Sequence, residues 1–400
     1  MKYQADRLKR INPSMTVAIN VKANALRSAG KDVLVLAAGE PDFDTPVNIR
    51  NAAKKSLDDG KTRYVPGKGT KDLQEAIINK FKRDNNISYS NEEIMVGVGG
   101  KHIIYNAMMA SINPGDEVII PAPFWVSYPD IVLLAEGKPV IVECNIEQNF
   151  KITPSQLENN ITNKTKWLML NSPSNPTGSI YSRHELKLLS EVLLRFPNVL
   201  VLTDDIYEKI IYEKDSFSTL AEIEPKLKNR ILTLNGVSKA YCMTGWRLGY
   251  CGGPKEIISG MNKIQSQSTT STSSITMAAS VEALNGNQDF IEKNNIEFKK
   301  RRDLVVEKLN NIDGISCEIP SGAFYVYPSC KGIIGKKTPN GDIINTDEDL
   351  MNYLLEKEGV AGVHGAAFGL SPFFRLSYAT DEKTLIDACE RIKRACLELN

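Results

Sequence analysis

The sequence predicts an α/β protein with a mostly parallel, seven-stranded sheet covered by helices, joined to a smaller α+β domain. Three observations predict it. Apolar runs at 94–98, 117–121, 138–143, 167–171, 199–203, 230–234 and 246–251 are short and continuous. Helical patterns at 101–112, 125–136 and 182–196 alternate with the early runs, as a parallel sheet buried on both faces requires. After a long helical pattern at 287–310 the composition changes. Strand-like runs at 323–327, 360–363 and 373–378 are then interspersed with helical patterns at 347–357 and 381–398. In open sheets of this kind ligands bind beyond the carboxyl ends of the strands, so the chemistry is to be sought there.

The N-terminal elements follow the same logic. Ser14 or Thr16 can cap a helix over 14–30, with Gly30 past its end. A short strand at 33–36 runs into the turn Ala38-Gly39-Glu40-Pro41-Asp42-Phe43. Helices at 46–59 and 70–84 flank an exposed-looking loop, Tyr64 to Gly69. Residues 1–45 are expected to join the small domain, 46–295 to form the large one and 296–400 the small one. The polar stretch 265–274 reads either as a flexible linker or as an ordered segment at a site or interface. The basic run Lys299 to Arg302 reads as a solvated helix face.

Composition excludes several classes. Four hundred residues are enough for two or three domains. With 49 Lys and Arg against 48 Asp and Glu, nothing pulls the chain towards nucleic acid or an anionic membrane. Seven scattered cysteines without a Cys-x-x-Cys indicate neither a disulfide framework nor zinc. The three histidines at 102, 184 and 364 make a His-rich metal site improbable. The first residues lack a signal peptide's apolar core, and no apolar run approaches the roughly 18 residues of a membrane span. The expected location is the cytoplasm.

The strand ends carry the candidates. Lys239, after the run at 230–234, has Ser238 and Ala240 as neighbours and no adjacent carboxylate. It is either solvated, paired at long range, or a nucleophile towards a carbonyl. Arg247, eight residues on, has the planar fork that matches a phosphate. Gly99-Gly100-Lys101 opens a helix whose amides can hold an anion, although a tight turn is the plainer reading. Trp125 can stack on a heteroaromatic ring or simply fill the core. In Asn171-Ser172-Pro173-Ser174-Asn175-Pro176-Thr177-Gly178 the prolines fix the direction of Asn175. Asp204, with Asp205 and Tyr207 beside it, is an acid at a strand terminus that needs a cation or caps a helix. Arg375 lies in an apolar run and wants a carboxylate, internal or from a substrate.

Taken together these stretches resemble the class I aminotransferases of pyridoxal phosphate (PLP) fold type I, closest to the bacterial aspartate (aspartate/prephenate) subgroup. The likeness spans nearly the whole chain. Its strongest pieces are Ala38 to Phe43, Asn171 to Gly178, and Ser238-Lys239 through Met243-Thr244-Gly245-Trp246-Arg247-Leu248-Gly249-Tyr250. The resemblance implies that Lys239 binds the cofactor and carries the proton. Asp204 would face the pyridine nitrogen, Asn175 and Tyr207 the phenolic oxygen, and Trp125 the ring face. Gly100, Lys101 and Arg247 would bind the phosphate, with Tyr64 from the neighbouring subunit of a homodimer. Gly39 and Arg375 would take the substrate α-carboxylate, and Lys101, Ser14 and Thr16 a distal one. The implied reaction converts L-aspartate and 2-oxoglutarate to oxaloacetate and L-glutamate. The alternatives are a lyase or decarboxylase on the same fold, and a PLP-binding regulatory module. Two positions depart from the pattern. Gly236 stands where many relatives carry a phosphate-binding serine. Asn12 stands where prephenate-active members carry lysine, which speaks against prephenate as a substrate.

Overall fold

The computed structural model describes residues 3–13, 15–213 and 217–400. Helix α1 (Met15–Ser28) leads to β1 (Leu34–Val35), α2 (Val47–Asp58) and α3 (Lys71–Asn85). There follow β2 (Ile94–Gly97), α4 (Gly100–Ser111), β3 (Glu117–Ala122), α5 (Ser127–Leu134), β4 (Lys138–Glu143) and α6 (Pro154–Asn160). Next come β5 (Thr165–Asn171), α7 (Arg183–Arg195), β6 (Leu200–Asp204), α8 (Leu220–Ile223), β7 (Ile231–Gly236) and β8 (Gly249–Gly252). Helices α9 (Lys255–Ser266), α10 (Ser274–Asn285) and α11 (Asp289–Asn310) precede β9 (Tyr325–Val326). The chain closes with α12 (Asp347–Glu358), β10 (Val360–Ala361), β11 (Val363–His364), β12 (Phe374–Ser377) and α13 (Glu382–Leu397).

Among the described residues the main sheet has seven strands in the order β2-β8-β7-β6-β5-β3-β4. Only β8 runs against the rest, pairing antiparallel with both β2 and β7. The α/β class with a mostly parallel sheet is therefore as the sequence predicts. Alternate residues of the central strands enter separate cores, as strand geometry dictates. Val201, Leu168 and Ile119 pack on one face, Leu202, Met169 and Ile120 on the other. Such two-sided burial is why these runs are continuously apolar. Helix boundaries follow their caps. Ser182 and Glu185 form a capping box on α7, Thr346 and Asp349 on α12, and Gly359 ends α12 in the left-handed region.

Two details differ from the sequence reading. The strand expected at 246–251 begins at Gly249, because Arg247 takes a left-handed backbone (φ 57°). That turn directs its guanidinium back to Gly99, where any Cβ would collide with it. The run 299–302 is also not a solvated face throughout. Arg301 and Arg302 are buried. Arg301 pairs with Asp42 at 2.8 Å, and Arg302 donates to the Pro320 carbonyl at 3.0 Å. Arg302 also pairs with the adjacent Asp303 at 2.6 Å, but Asp42 and Pro320 lie farther off in sequence, so local charge density misleads. The 265–274 stretch completes α9 and a turn, with Thr272 donating to the Arg247 carbonyl at 3.0 Å.

Smaller sheets β1-β10 and β11-β12-β9 lie in the region of the C-terminal elements. Leu34 pairs with Val360, which ties the N-terminal segment to that region.

A buried ion pair joins α3 to the segment that follows β6. Lys80, fully buried, pairs with Glu208, and Asn85 links to both, accepting from Lys80 at 2.7 Å and donating to Glu208 at 2.8 Å. Lys80→Ala leaves a buried carboxylate without its cation, a loss of about 3–5 kcal/mol. Urea unfolding of the purified protein should show it, and Lys80→Met with Glu208→Leu should recover most of it. An unchanged midpoint for Lys80→Ala contradicts the expectation.

Candidate active site

Strands β5, β6 and β7 end side by side, with Asn171 opposite Asp204 and Asp204 opposite Leu234. Beyond their carboxyl ends lies a cavity of about 350 Å³. It brings together Lys239, Asp204, Tyr207, Asn175 and Arg247 with Gly100, Lys101 and Trp125. Gly39, Thr16 and Arg375 reach it from the N- and C-terminal regions. Tyr64 is not in the cavity but on the surface, 95% exposed. Ser14 lies outside the described residues.

Lys239 follows β7 and donates to the Gly39 carbonyl. Burial, reinforced by the Arg375 charge, lowers its pKa to about 8. A lysine so close to neutrality gives up its proton readily, which both nucleophilic attack and proton transfer require.

Asp204 is buried at the end of β6. It accepts from Tyr128 Oη at 2.7 Å and Ile206 N at 3.4 Å, and has no ion-pair partner among the described residues. Burial pushes its pKa up to about 6. A buried acid in this condition is an incomplete pair awaiting a cation. Asp205 points away, towards Thr203 Oγ1 at 3.5 Å.

Arg375 shows the opposite incompleteness. It is 2% exposed, yet its guanidinium meets no carboxylate among the described residues. Nη1 donates to Asn175 Oδ1 at 2.8 Å, Nη2 to the Ala37 carbonyl at 2.7 Å, and Nε is unpartnered. Burial pulls its pKa down. The internal acid that the sequence left open is thus absent from its surroundings.

Lys101 and Arg247 complete the positive lining, and neither has an ion-pair partner among the described residues. Lys101 Nζ sits 4.8 Å from the Trp125 ring centroid, and burial followed by the Arg247 charge lowers its pKa. Arg247 Nη1 donates to the Thr244 carbonyl at 2.9 Å, beside the first turn of α4. The leading amides of a helix have no intrahelical acceptor, so Gly100, Lys101 and Arg247 form an anion cradle. Gly236 cannot accept a serine unchanged, since a Cβ there lies 2.8 Å from Ile206 Cδ1.

The sequence reading missed two aromatic residues. Tyr128 holds Asp204, and Tyr325 bonds to Tyr207 Oη at 2.8 Å under Arg375. Each lies in an ordinary apolar stretch, and no local signal marks it.

A lysine of lowered pKa, a lone buried acid and a cradle for a phosphate define a protein of PLP-dependent group transfer. The family described as aminotransferase class I and II matches residues 31–392, and the chain belongs to it. It is 55% identical to the probable aspartate/prephenate aminotransferase of Rhizobium leguminosarum bv. phaseoli, covering 99% of each chain. Identity to the aspartate aminotransferase of Rhizobium meliloti (strain 1021) is 53%, over 99% of this chain and 97% of that one. A crystal structure of the aspartate aminotransferase from Rhizobium meliloti superposes with a TM-score of 0.98 at 52% identity, covering 100% of both chains. That of Thermus thermophilus aspartate aminotransferase with maleate gives 0.92 at 40%, covering 99% of this chain and 100% of that one. The chain is a transaminase, and its cofactor is pyridoxal 5'-phosphate. The lone Asp204 and the cradle at α4 fit its pyridine nitrogen and its phosphate.

Proposed function

We propose that the protein transfers the amino group of L-aspartate to 2-oxoglutarate, giving oxaloacetate and L-glutamate. The observation that carries this is the cavity's set of three cations, Arg247, Arg375 and Lys101, that have no carboxylate partner among the described residues. One phosphate and the two carboxylates of aspartate would complete them. The relatives' names point the same way, and the Thermus structure holds maleate, a dicarboxylate.

When bound, the cofactor supplies an electron sink for the bond broken at the substrate Cα. Lys239 would hold it and then move the proton at Cα. Asp204 would keep the ring nitrogen protonated, Asn175 and Tyr207 would donate to the phenolic oxygen, and Trp125 would cover the ring. The backbone at Gly100 and Lys101, with the Arg247 side chain, would grip the phosphate. Gly39 and Arg375 would orient the α-carboxylate. Thr16 would approach the distal carboxylate from α1 beside Lys101, and Ser14 would contribute to the same carboxylate. Prephenate would be at most a secondary substrate, since Asn12 speaks against it while the Rhizobium leguminosarum relative is named a probable aspartate/prephenate aminotransferase.

The enzyme would act in the cytoplasm as a homodimer with its sites at the subunit interface. The exposure of Tyr64 supports it, since that side chain is free to reach a partner's phosphate. Residues 1–45 with 296–400 would form the small domain and 46–295 the large one. A substrate bridging Arg375 and Lys239 would draw the two together.

Lys101→Ala tests the dicarboxylate reading. A hydrogen bond to a charged group contributes about 1.5–3 kcal/mol, so kcat/KM for aspartate should fall roughly 10- to 150-fold. Alanine and phenylalanine, lacking a distal carboxylate, should be spared. Equal losses for aspartate and alanine would mean that Lys101 serves the cofactor phosphate alone.

A further inference from the structure

Tyr325 lies on β9, bonded to β12, the strand that carries Arg375. It is wholly buried, and its hydroxyl is 2.8 Å from that of Tyr207. The Arg375 guanidinium carbon sits 4.5 Å from its ring centroid. Its hydroxyl also fills the space a side chain at Gly39 would need, 2.9 Å from a Cβ built there. One aromatic side chain therefore abuts three residues of the proposed cofactor and substrate machinery.

Satisfiability decides the direction of the phenol–phenol bond. Each hydroxyl has one proton to give. Both line the cavity, but only Tyr207 keeps accessible surface there: Tyr325 is 0% exposed and Tyr207 3% exposed. If Tyr207 donated, the Tyr325 proton would be buried without another acceptor among the described residues, the costly arrangement. If Tyr325 donates, the Tyr207 proton is turned towards the cavity, where a ligand oxygen or water can take it.

Resting on the assignment of Tyr207 to the cofactor's phenolic oxygen, we infer that Tyr325 is a positioning residue that donates to Tyr207, aims its proton at that oxygen, and floors Arg375. A phenol that accepts a hydrogen bond is a stronger donor in turn. The negative charge on the phenolic oxygen is then better stabilised. The nitrogen joining Lys239 to the cofactor consequently releases its proton at lower pH.

The test is a pH titration of the holoenzyme's visible absorbance for the wild type, Tyr325→Phe, Tyr207→Phe and the double variant. Phenylalanine keeps the ring beneath Arg375 and removes only the hydroxyl. Tyr325→Phe should raise the midpoint by about 0.5–1 pH unit, the size of one ordinary hydrogen bond. Tyr207→Phe should raise it further, and the double variant should titrate with Tyr207→Phe, since the two hydroxyls act in series. If Tyr325→Phe titrates with the wild type while Tyr207→Phe shifts, the inference is overturned and the Tyr207 assignment stands. Shifts that add in the double variant overturn it as well. If neither variant shifts, the Tyr207 assignment itself fails, and the inference with it.

Discussion

Lys239→Ala should end transamination while leaving the fold intact. The side chain sits at the cavity end of β7, its amine donates to the Gly39 carbonyl, and burial lowers its pKa to about 8. No other amine in the cavity has that combination. Lys101 stands over Trp125 at the start of α4, among the phosphate-cradle residues. The loss should be at least about 10⁴-fold in kcat, the upper range for one positioned proton-transfer group, because covalent attachment is lost as well. The variant should also lose the yellow colour of a lysine-bound cofactor, and its circular dichroism should match the wild type. Near-native turnover by Lys239→Ala removes the central assignment.

Asp204→Ala should be nearly as severe, and Asp205→Ala milder in rate. The two acids are adjacent and both buried, but they serve different surroundings. Asp204 lines the cavity with Tyr128 as its hydrogen-bond donor, whereas Asp205 turns to Thr203. Without Asp204 the buried pyridine nitrogen would give up its proton, and the ring would lose most of its power as an electron sink. A preorganised electrostatic contact of that kind is worth at least about 10²–10³-fold in kcat. Asp205→Ala deletes a buried group, its pKa raised by burial, that faces Thr203 and does not line the cavity. Steady-state kinetics on both variants decides the matter, and the reverse order of severity refutes the assignment.

Much of this site was legible because strand ends announce themselves. Lys239, Asp204 and Asn175 each follow a continuous apolar run, and the parallel sheet gathers those ends without further information. Arg375 was conspicuous as a charge inside an apolar strand. What escaped the sequence is of a different kind. Tyr128 and Tyr325 act through hydroxyls that meet Asp204 and Tyr207 only after the chain has folded, and aromatic residues in apolar stretches look like core. Arg301 and Arg302 look like surface charge, because Asp42 and the Pro320 carbonyl, which receive them inside the fold, are distant in sequence. Local patterning reports which face of an element is apolar. It does not report which polar tip finds a partner across the fold.

The most direct measurement follows the nitrogen. The holoenzyme is supplied with ¹⁵N-labelled L-aspartate and unlabelled 2-oxoglutarate, and the products are identified by mass spectrometry. The account predicts labelled glutamate and oxaloacetate in equal amounts, with neither formed by Lys239→Ala. Label released as free ammonium, or aspartate consumed without labelled glutamate, would contradict it and favour a lyase on the same fold.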